Sequence, residues 1–208
     1  MKLILLLLSL LNYATCLKYY QENIHNFGNF NPIHSYFAKP FTNFLDTHIY
    51  KMNVRKKLFN LYSENDSVID LGCGVGLSTP PLKNAIGVDI SNNMILQAEK
   101  NFPEKHFEIA NIENYYPDEA FDYAQLSFVF HEIPQEKRRK IIERVKQYTK
   151  IGIFIMDISD RYTPSRSMIS GEPFIKNYLE EINNDLKDFY KFNLIKDRVV
   201  IWALLKNI

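Results

Sequence analysis

The chain has little of several features that define common protein classes. Its 25 basic and 24 acidic residues leave a net charge of only +1, so no global field attracts it to nucleic acid or to an anionic surface. It has two cysteines, no His or Cys residues at metal-ligand spacing and no Gly-x-Ser-x-Gly elbow, so neither a metal site nor serine hydrolysis is supported. Internal repeats and low-complexity segments are absent. The 208 residues, 46% of them hydrophobic, predict one ordinary globular domain with a sizeable core.

The longest apolar run lies at the start of the chain. Lys2 is followed by residues 3–11, of which all but one are Leu or Ile, and then by small and polar residues. This pattern predicts a signal peptide over residues 1–17, with an uncleaved hydrophobic anchor and membrane association as the alternative. Removal of the leader would leave only Cys73, which excludes an intrachain disulfide and weakens an extracellular interpretation. Secretory pathway, membrane and cytoplasm all remain open.

Residues 18–62 are rich in aromatic residues and asparagine and contain no glycine loop or long strand pattern. Apolar residues at helical spacing behind Asn53 predict a helix that this residue caps. The whole segment is predicted to form two or three helices, a cap that precedes the sheet. Two basic clusters, at 51–57 and 137–140, are predicted as solvated helix faces.

From residue 63 to the end, strand patterns alternate with amphipathic helices, which predicts an α/β fold with a mostly parallel sheet. Strands are predicted to begin near Ser67, Ala85, His106, Phe121, Ile151, Phe189 and Val199. The first crossover, 76–84, contains Pro80 and Pro81, so its helix must be brief. The last two strands are predicted to pair as an antiparallel hairpin around residues 196–197.

The most informative segment is 67–76, a short buried strand that runs into three glycines at alternate positions. They are Gly72, Gly74 and Gly76. Such a strand has no side chains at its carboxyl edge, so a ligand can lie against bare backbone. A dinucleotide fingerprint requires a small residue where this chain has Leu77, and an acid beside a pyrophosphate would repel it. Asp70 instead suits a cationic ligand.

A second short apolar run ends in Asp89, nineteen residues after Asp70. A carboxylate at the tip of the second strand is where Rossmann-like sites hold a ribose, because one carboxylate can accept hydrogen bonds from two adjacent hydroxyls. The two acids and the glycines between them therefore predict a site for a nucleoside with a positive charge.

These two segments resemble motifs I and II of the class I (Rossmann-like) S-adenosylmethionine-dependent methyltransferases, including the Ser91-x-x-Met94 that follows the second acid. The resemblance covers roughly residues 67–206. It implies a three-layer sandwich with a mostly parallel seven-stranded sheet and an antiparallel C-terminal hairpin strand. It also implies S-adenosylmethionine as the cofactor, which carries a sulfonium and an ammonium group and no phosphate.

The resemblance also implies where the cofactor is held. The glycine backbone would lie against the methionyl part and the ribose. Asp70 would favour the ammonium group, directly or through water, and Asp89 would take the ribose hydroxyls. The adenine would be bordered by Ile90 and Met94 and approached by Asn111 and Ile112, and the methionyl part would be bordered by Ser127. Asn111 stands where the family usually has Asp, so it keeps an acceptor for the adenine amino group but lacks the charge.

A histidine follows the fourth strand, which is predicted to extend to Phe130. His131 is a candidate general base for the methyl acceptor, since an unperturbed histidine titrates near neutrality. The alternative is a histidine that orients the loop or packs under the next helix, because the sulfonium already activates the methyl carbon.

The sequence thus predicts a methyltransferase domain over residues 63–208 that acts on a small-molecule acceptor. Beyond the core only the aromatic segment 18–62 is available to form a pocket, and no basic groove for nucleic acid is present. Two alternatives are a non-catalytic cofactor-binding subunit of a partner enzyme and a nicotinamide oxidoreductase, against which Leu77 and Asp70 argue. The identity of the acceptor and the oligomeric state do not follow from the sequence.

Overall fold

The structure is a computed structural model that describes residues 32–206, and one seven-stranded sheet runs through it. The strands are β1 (Val68–Leu71), β2 (Ala85–Asp89), β3 (His106–Ile109), β4 (Phe121–Ser127), β5 (Thr149–Ile158), β6 (Tyr190–Ile195) and β7 (Val199–Leu205). Their order in the sheet is β3-β2-β1-β4-β5-β7-β6. The first five strands are parallel, and β7 is antiparallel to both of its neighbours. The predicted mostly parallel sheet with its antiparallel C-terminal hairpin is confirmed.

Helices cover both faces of this sheet. They are α1 (Pro32–Phe44), which continues as a π-helical segment (Leu45–Ile49), α2 (Lys56–Phe59), α3 (Asn92–Asn101), α4 (Gln135–Tyr148), α5 (Arg166–Gly171) and α6 (Ile175–Asp185). Asn53 accepts a hydrogen bond from the Lys56 amide at 3.2 Å, as a cap does, and Ser91 caps α3 in the same manner at 3.3 Å.

Two hydrophobic clusters occupy the two faces. On β5, Ile153 and Ile155 belong to the larger cluster, which contains residues of α4 and α6. Phe154 and Met156 alternate with them and belong to the smaller cluster, where Leu58 of α2 packs. Because successive side chains of a strand point to opposite faces, the sheet has a packed layer on each side. This is the three-layer sandwich that the sequence predicts.

The connection between β1 and β2 differs from the prediction of a brief helix. Residues 72–84, all of them described, form a series of turns without a helix. Gly72, Gly74 and Gly76 have φ values of 75°, 52° and 81°, which a right-handed helix does not accommodate. The adjacent prolines at positions 80 and 81 prevent a helix from forming further on.

The fourth strand is also shorter than the prediction. It ends at Ser127 rather than at Phe130, because Phe128 adopts φ 58° and the chain then turns into a 3₁₀ segment, Phe130–Glu132. The Arg55 guanidinium lies 4.5 Å from the centre of the Phe128 ring. A left-handed conformation in a bulky residue is uncommon, so this turn is held by its surroundings.

The helical cap over 18–62 and its boundary with the domain at 63–208 stay predictions. The described part, from residue 32, contains α1, the π-helical segment and α2. The predicted leader, 1–17, lies outside the described residues. Among residues 32–206, no helix is both long enough and apolar enough to cross a bilayer.

We expect Gly76→Ala to lower the free energy of unfolding by about 2–4 kcal/mol. Its φ of 81° is strained for an L-residue, and an added Cβ would lie 2.7 Å from Cζ of Phe107. Urea unfolding measures the loss. Gly74→Ala is the matched control, since its Cβ would meet no described heavy atom within 4 Å, and only the cost of the φ, about 1–2 kcal/mol, is expected. Equal losses in the two variants would contradict the packing role of Gly76.

Candidate functional site

A cleft opens at the carboxyl ends of β1, β2 and β4, with α1 and Arg55 on its other side. The cleft brings together seven of the residues that the sequence predicts for cofactor binding. They are Gly72, Gly74, Asp89, Ile90, Met94, Ile112 and Ser127. Four predicted site residues do not line it, and these are Asp70, Gly76, Asn111 and His131.

Asp89 joins the glycine loop to the start of α3. Its Oδ2 accepts a hydrogen bond from the Gly74 amide at 2.9 Å, and its Oδ1 accepts one from the Ser91 amide at 2.8 Å. Burial raises the pKa of Asp89, and the two amide donors lower it against that effect. Each carboxylate oxygen has about two acceptor sites, so both oxygens retain capacity for a ligand hydroxyl.

Of the three glycines, Gly74 alone presents open backbone on its Cβ side: an added Cβ there would meet no described heavy atom within 4 Å. At Gly72 the Cβ would lie 2.7 Å from Cγ2 of Val129, so its absence lets the segment after β4 approach the loop. Gly76 packs against Phe107 and is buried. The prediction that Gly76 contacts the cofactor finds no support in this position, which indicates a role in packing.

Asp70 lies beneath the glycine loop and is fully buried. Its Oδ2 accepts hydrogen bonds from the hydroxyls of Ser78 at 2.8 Å and Thr79 at 2.7 Å, and its Oδ1 accepts one from Nε2 of Gln125 at 3.0 Å. Burial raises the pKa of Asp70, and the three hydrogen bonds lower it against that effect. Direct contact of Asp70 with a ligand in the cleft does not fit this arrangement, because neighbouring side chains enclose the carboxylate.

An unpartnered hydroxyl lies at the end of β4. Ser127 is buried and lines the cleft, and its Oγ has no hydrogen-bond partner among the described residues. A buried polar atom without a partner costs about 1–3 kcal/mol, so a ligand that bonds to it would recover that energy. The open backbone at Gly74 leaves room for a ligand to lie against the loop, and the unpartnered oxygen of Ser127 can bond to a polar group of that ligand.

The far end of the cleft has an apolar wall formed by Ile90, Met94 and Ile112, where the sequence predicts the adenine. Asn111 does not reach it. Its Oδ1 accepts a hydrogen bond from the Glu113 amide at 2.9 Å, which closes a turn in its own loop. The prediction of an adenine contact from Asn111 therefore finds no support in its position, whereas Ile112 lies where it was expected.

His131 lies outside the cleft, under the segment that follows β4. Its Nδ1 lies 2.6 Å from Oδ1 of Asp157, and its Nε2 lies 3.8 Å from Glu132 and 3.7 Å from Glu172. Burial lowers the pKa of His131, but the three carboxylates outweigh burial and raise that pKa to about 10. An imidazole that is already protonated at neutral pH cannot accept another proton. His131 as the general base therefore finds no support in its position or its charge, and the alternative of an orienting residue fits the structure.

Two charged residues of the cleft, Arg55 and Glu132, were not predicted as site residues. Arg55 falls in a basic cluster predicted as solvated, yet its side chain is only 14% exposed and donates to Asp46 Oδ1 at 3.3 Å. Arg138, in the other basic cluster, is fully buried and pairs with Asp185 at 2.8 Å. The adjacency of Glu132 to His131 was the one available signal. The hydrophobic periodicity of a sequence predicts where helices and loops lie. It does not predict which residues of a loop border a cavity.

A parallel sheet with a bare glycine loop at one strand tip and a ribose-type acid at the next defines a Rossmann-like nucleoside-binding protein. Comparison with known proteins shows similarity to methyltransferases. Residues 69–156 match a family model described as a methyltransferase domain. A trans-aconitate 2-methyltransferase of Rhodopseudomonas palustris is 27% identical over 131 residues, which are 58% of this chain and 50% of the relative.

A mitochondrial ubiquinone biosynthesis O-methyltransferase of Dictyostelium discoideum is 30% identical over 149 residues, 61% of this chain and 46% of that protein. The chain therefore spans about half the length of these two curated relatives. Among solved structures, a TehB-like S-adenosylmethionine-dependent methyltransferase of Corynebacterium glutamicum superposes with a TM-score of 0.59 at 14% identity, over 85% of this chain and 100% of that one. The match over residues 69–156 and the shared fold thus support a class I S-adenosylmethionine-dependent methyltransferase domain.

We expect Gly74→Ala to weaken S-adenosylhomocysteine binding at least tenfold, because its methyl group would project into the cleft where bare backbone now lies. Isothermal titration calorimetry measures the affinity. Gly76→Ala serves as the control here, since its Cβ points into the protein away from the cleft. A Gly74→Ala protein with wild-type affinity would show that the ligand does not lie against this loop.

We also expect stability to fall as the pH rises from 7 to 9. The pKa of His131 is raised from 6.5 to about 10 in the folded protein, so its stabilisation is complete below pH 6.5 and is lost as the pH approaches 10. Between pH 6.5 and about pH 10, the folded state binds one more proton than the unfolded state, so the free energy of unfolding decreases by about 1.4 kcal/mol per pH unit. Urea unfolding at several pH values tests this. His131→Gln should remove the slope, and an unchanged slope in that variant would assign the effect to another group.

Proposed function

We propose that this chain binds S-adenosylmethionine in the cleft and transfers its methyl group to a small molecule. The arrangement that carries the proposal is the pairing of Gly74 with Asp89, which places open backbone next to an anchored carboxylate at the tips of two adjoining strands. When bound, the cofactor supplies a methyl group activated by a sulfonium. The chain's own residues bind and orient it.

Each residue of the cleft has a distinct part in this proposal. Asp89 accepts hydrogen bonds from the ribose hydroxyls while its bonds to Gly74 and Ser91 hold it in place. Ile90, Met94 and Ile112 cover the adenine with apolar surface. At the other end, the unpartnered hydroxyl of Ser127 bonds to the polar methionyl part. Asp70 positions the glycine loop from below and adds a negative potential through it.

The acceptor is proposed to be small because residues of α1 and Arg55 line the cleft together with the strand ends. Ala38 and Thr42 of α1, together with Arg55, line the side opposite the glycine loop, as a cap over the cofactor would. The matched relatives named above act, by their names, on trans-aconitate and in ubiquinone biosynthesis. Both names indicate small molecules rather than nucleic acid, and the net charge of +1 points the same way. None of the comparisons favours a non-catalytic subunit.

The test of this function is a calorimetric comparison of S-adenosylhomocysteine with NAD. We expect S-adenosylhomocysteine to bind and NAD to bind at least a hundredfold more weakly, because the glycine loop is followed by turns with no helix N-terminus to receive a pyrophosphate and has the Asp70 carboxylate beneath it. Transfer of a labelled methyl group to a panel of small phenols, amines and carboxylic acids then identifies the acceptor. Preferential binding of NAD would overturn the proposal.

Ser127→Ala separates cofactor binding from stability. Because the Ser127 hydroxyl has no partner among the described residues, its removal should leave the free energy of unfolding within about 0.5 kcal/mol of wild type or raise it. S-adenosylhomocysteine affinity should fall by about 0.5–1.5 kcal/mol. Asp89→Ala should weaken binding more, by about 1–3 kcal/mol, since it removes a charged acceptor. Unchanged affinity in both variants would place the ligand elsewhere.

A further inference from the structure

Four ionisable side chains that cofactor binding does not use form a cluster at the segment that follows β4. Two of them lie on that segment, one at the end of β5 and one after α5. His131 lies at the centre of the cluster, with Asp157 on one side of the ring and Glu132 and Glu172 on the other. If all four groups are ionised, three carboxylates face one imidazolium and the cluster carries two excess negative charges. Such an excess raises the pKa of the carboxylates that are least well hydrogen-bonded, so that one of them is only part ionised near neutral pH.

The geometry separates Asp157 from the two glutamates of the cluster. Asp157 is fully buried and accepts three hydrogen bonds, from the His131 ring, the His131 amide and the Ile158 amide. Its charge is therefore satisfied. Glu172, whose buried Oε2 has no hydrogen-bond partner among the described residues, lacks such a set of donors, and so does Glu132. Its Oε1 lies 3.8 Å from Nε2 of His131, beyond hydrogen-bond distance, and its side chain is 38% exposed.

Glu132 is also the member of the cluster that faces the cleft. It lines the cavity together with Ser127 and Phe128, on the side where Arg55 and α1 close over it. His131, Asp157 and Glu172 do not line the cavity. A proton that leaves a molecule bound in this part of the cleft would therefore meet Glu132 before any other member of the cluster.

We propose that Glu132 accepts the proton of the methyl acceptor and that His131 is a positioning residue that acts through Glu132. This inference rests on the proposed methyltransferase function. The proton on the acceptor's oxygen or nitrogen passes to the Glu132 carboxylate. The lone pair of that atom forms the new bond to the methyl carbon, while the carbon–sulfur bond breaks and its electron pair remains on sulfur.

The charges around Glu132 are consistent with that role. Partial burial at the cleft wall raises the pKa of Glu132, the His131 cation lowers it, and the carboxylates of Glu172, Asp157 and Asp89 raise it further, to about 7. A group with this pKa is part ionised at neutral pH, where it can both take and release a proton. Arg55, the cationic residue among those that line the cleft, is engaged with Asp46 and the Phe128 ring.

The inference narrows the class of acceptor. A base is needed only where the attacking atom carries a proton, as in a hydroxyl group or a protonated amine. A carboxylate oxygen attacks without one. The cluster therefore predicts a hydroxyl or amine acceptor for this chain, in contrast to a tricarboxylate such as trans-aconitate.

The first experiment observes Glu132 without any acceptor. In protein labelled with ¹³C at the glutamate carboxyls and saturated with S-adenosylhomocysteine, the resonance that Glu132→Gln removes should titrate near pH 7. His131→Gln should move that midpoint upward, because the cation that lowers it is gone. Glu172→Gln should move it downward, because a like charge is gone. A Glu132 midpoint near the ordinary 4.5, or shifts of the opposite sign, would overturn the inference.

The second experiment measures transfer with catechol, benzylamine and trans-aconitate as probes. Glu132→Gln should lower kcat for catechol or benzylamine by about a hundredfold or more and remove the ionisation near pH 7 from the profile of kcat/KM, with S-adenosylhomocysteine affinity unchanged within twofold. The matched control is Glu136→Gln, the same chemical change at an exposed position in the first turn of α4.

Two outcomes of the transfer experiment would overturn the inference: rates for catechol and benzylamine within a few-fold of wild type in Glu132→Gln, or transfer to trans-aconitate alone. Where none of the probes is methylated, the carboxyl titration decides. Wild-type protein that fails to bind S-adenosylhomocysteine would instead overturn the proposed function. Normal binding with a Glu132 midpoint near 4.5 would overturn only the role of Glu132.

Discussion

The arrangement of the cleft depends on one buried carboxylate, that of Asp70 at the tip of β1. An ionised carboxylate in the interior is costly unless it is fully hydrogen-bonded, and Asp70 receives two hydroxyl donors from the glycine loop and one amide donor from β4. The amide belongs to Gln125, which also donates to the Ser78 carbonyl at 2.6 Å and accepts from the Tyr62 hydroxyl at 2.8 Å. These contacts tie the loop to the sheet and to the helical segment before it, so its backbone stays in place without side chains to pack.

The position of Asp89 depends on this fixed glycine loop. Because the backbone of the loop is held in place, the Gly74 amide can donate a hydrogen bond to Asp89. Asp89 also accepts a hydrogen bond from the Ser91 amide at the start of α3. Three successive elements thus converge on one carboxylate. A bound ribose would join an existing network rather than organise a new one, which reduces the conformational entropy lost on binding. The two acids of the motif therefore have different tasks, one as a support and one as a ligand contact.

The sequence predicts the fold well because strand and helix periodicity are local properties. The alternation from residue 67 onward and the glycines at the first strand tip specify a parallel sheet, and the spacing to Asp89 specifies the ribose side of the cleft. Prediction from sequence fails where two residues of the same type, or two neighbours in the chain, have different surroundings in the folded protein. Gly74 and Gly76 are both glycines with positive φ in one loop, yet one borders the cleft and the other packs on Phe107. His131 and Glu132 are neighbours, and the carboxylate rather than the imidazole lines the cleft.

The sequence by itself determined the sheet, the glycine loop and the acid that lies beside that loop, since each follows from residue types at fixed spacing along the chain. The tertiary structure decided which charges meet. Asp157 lies 26 residues after His131 and Glu172 lies 40 after Glu132, and only the packing of β5 and the end of α5 against the turn after β4 brings them to one ring. Coulombic effects fall off with distance in space rather than in sequence, so the ionisation state of this cluster is a property of the fold.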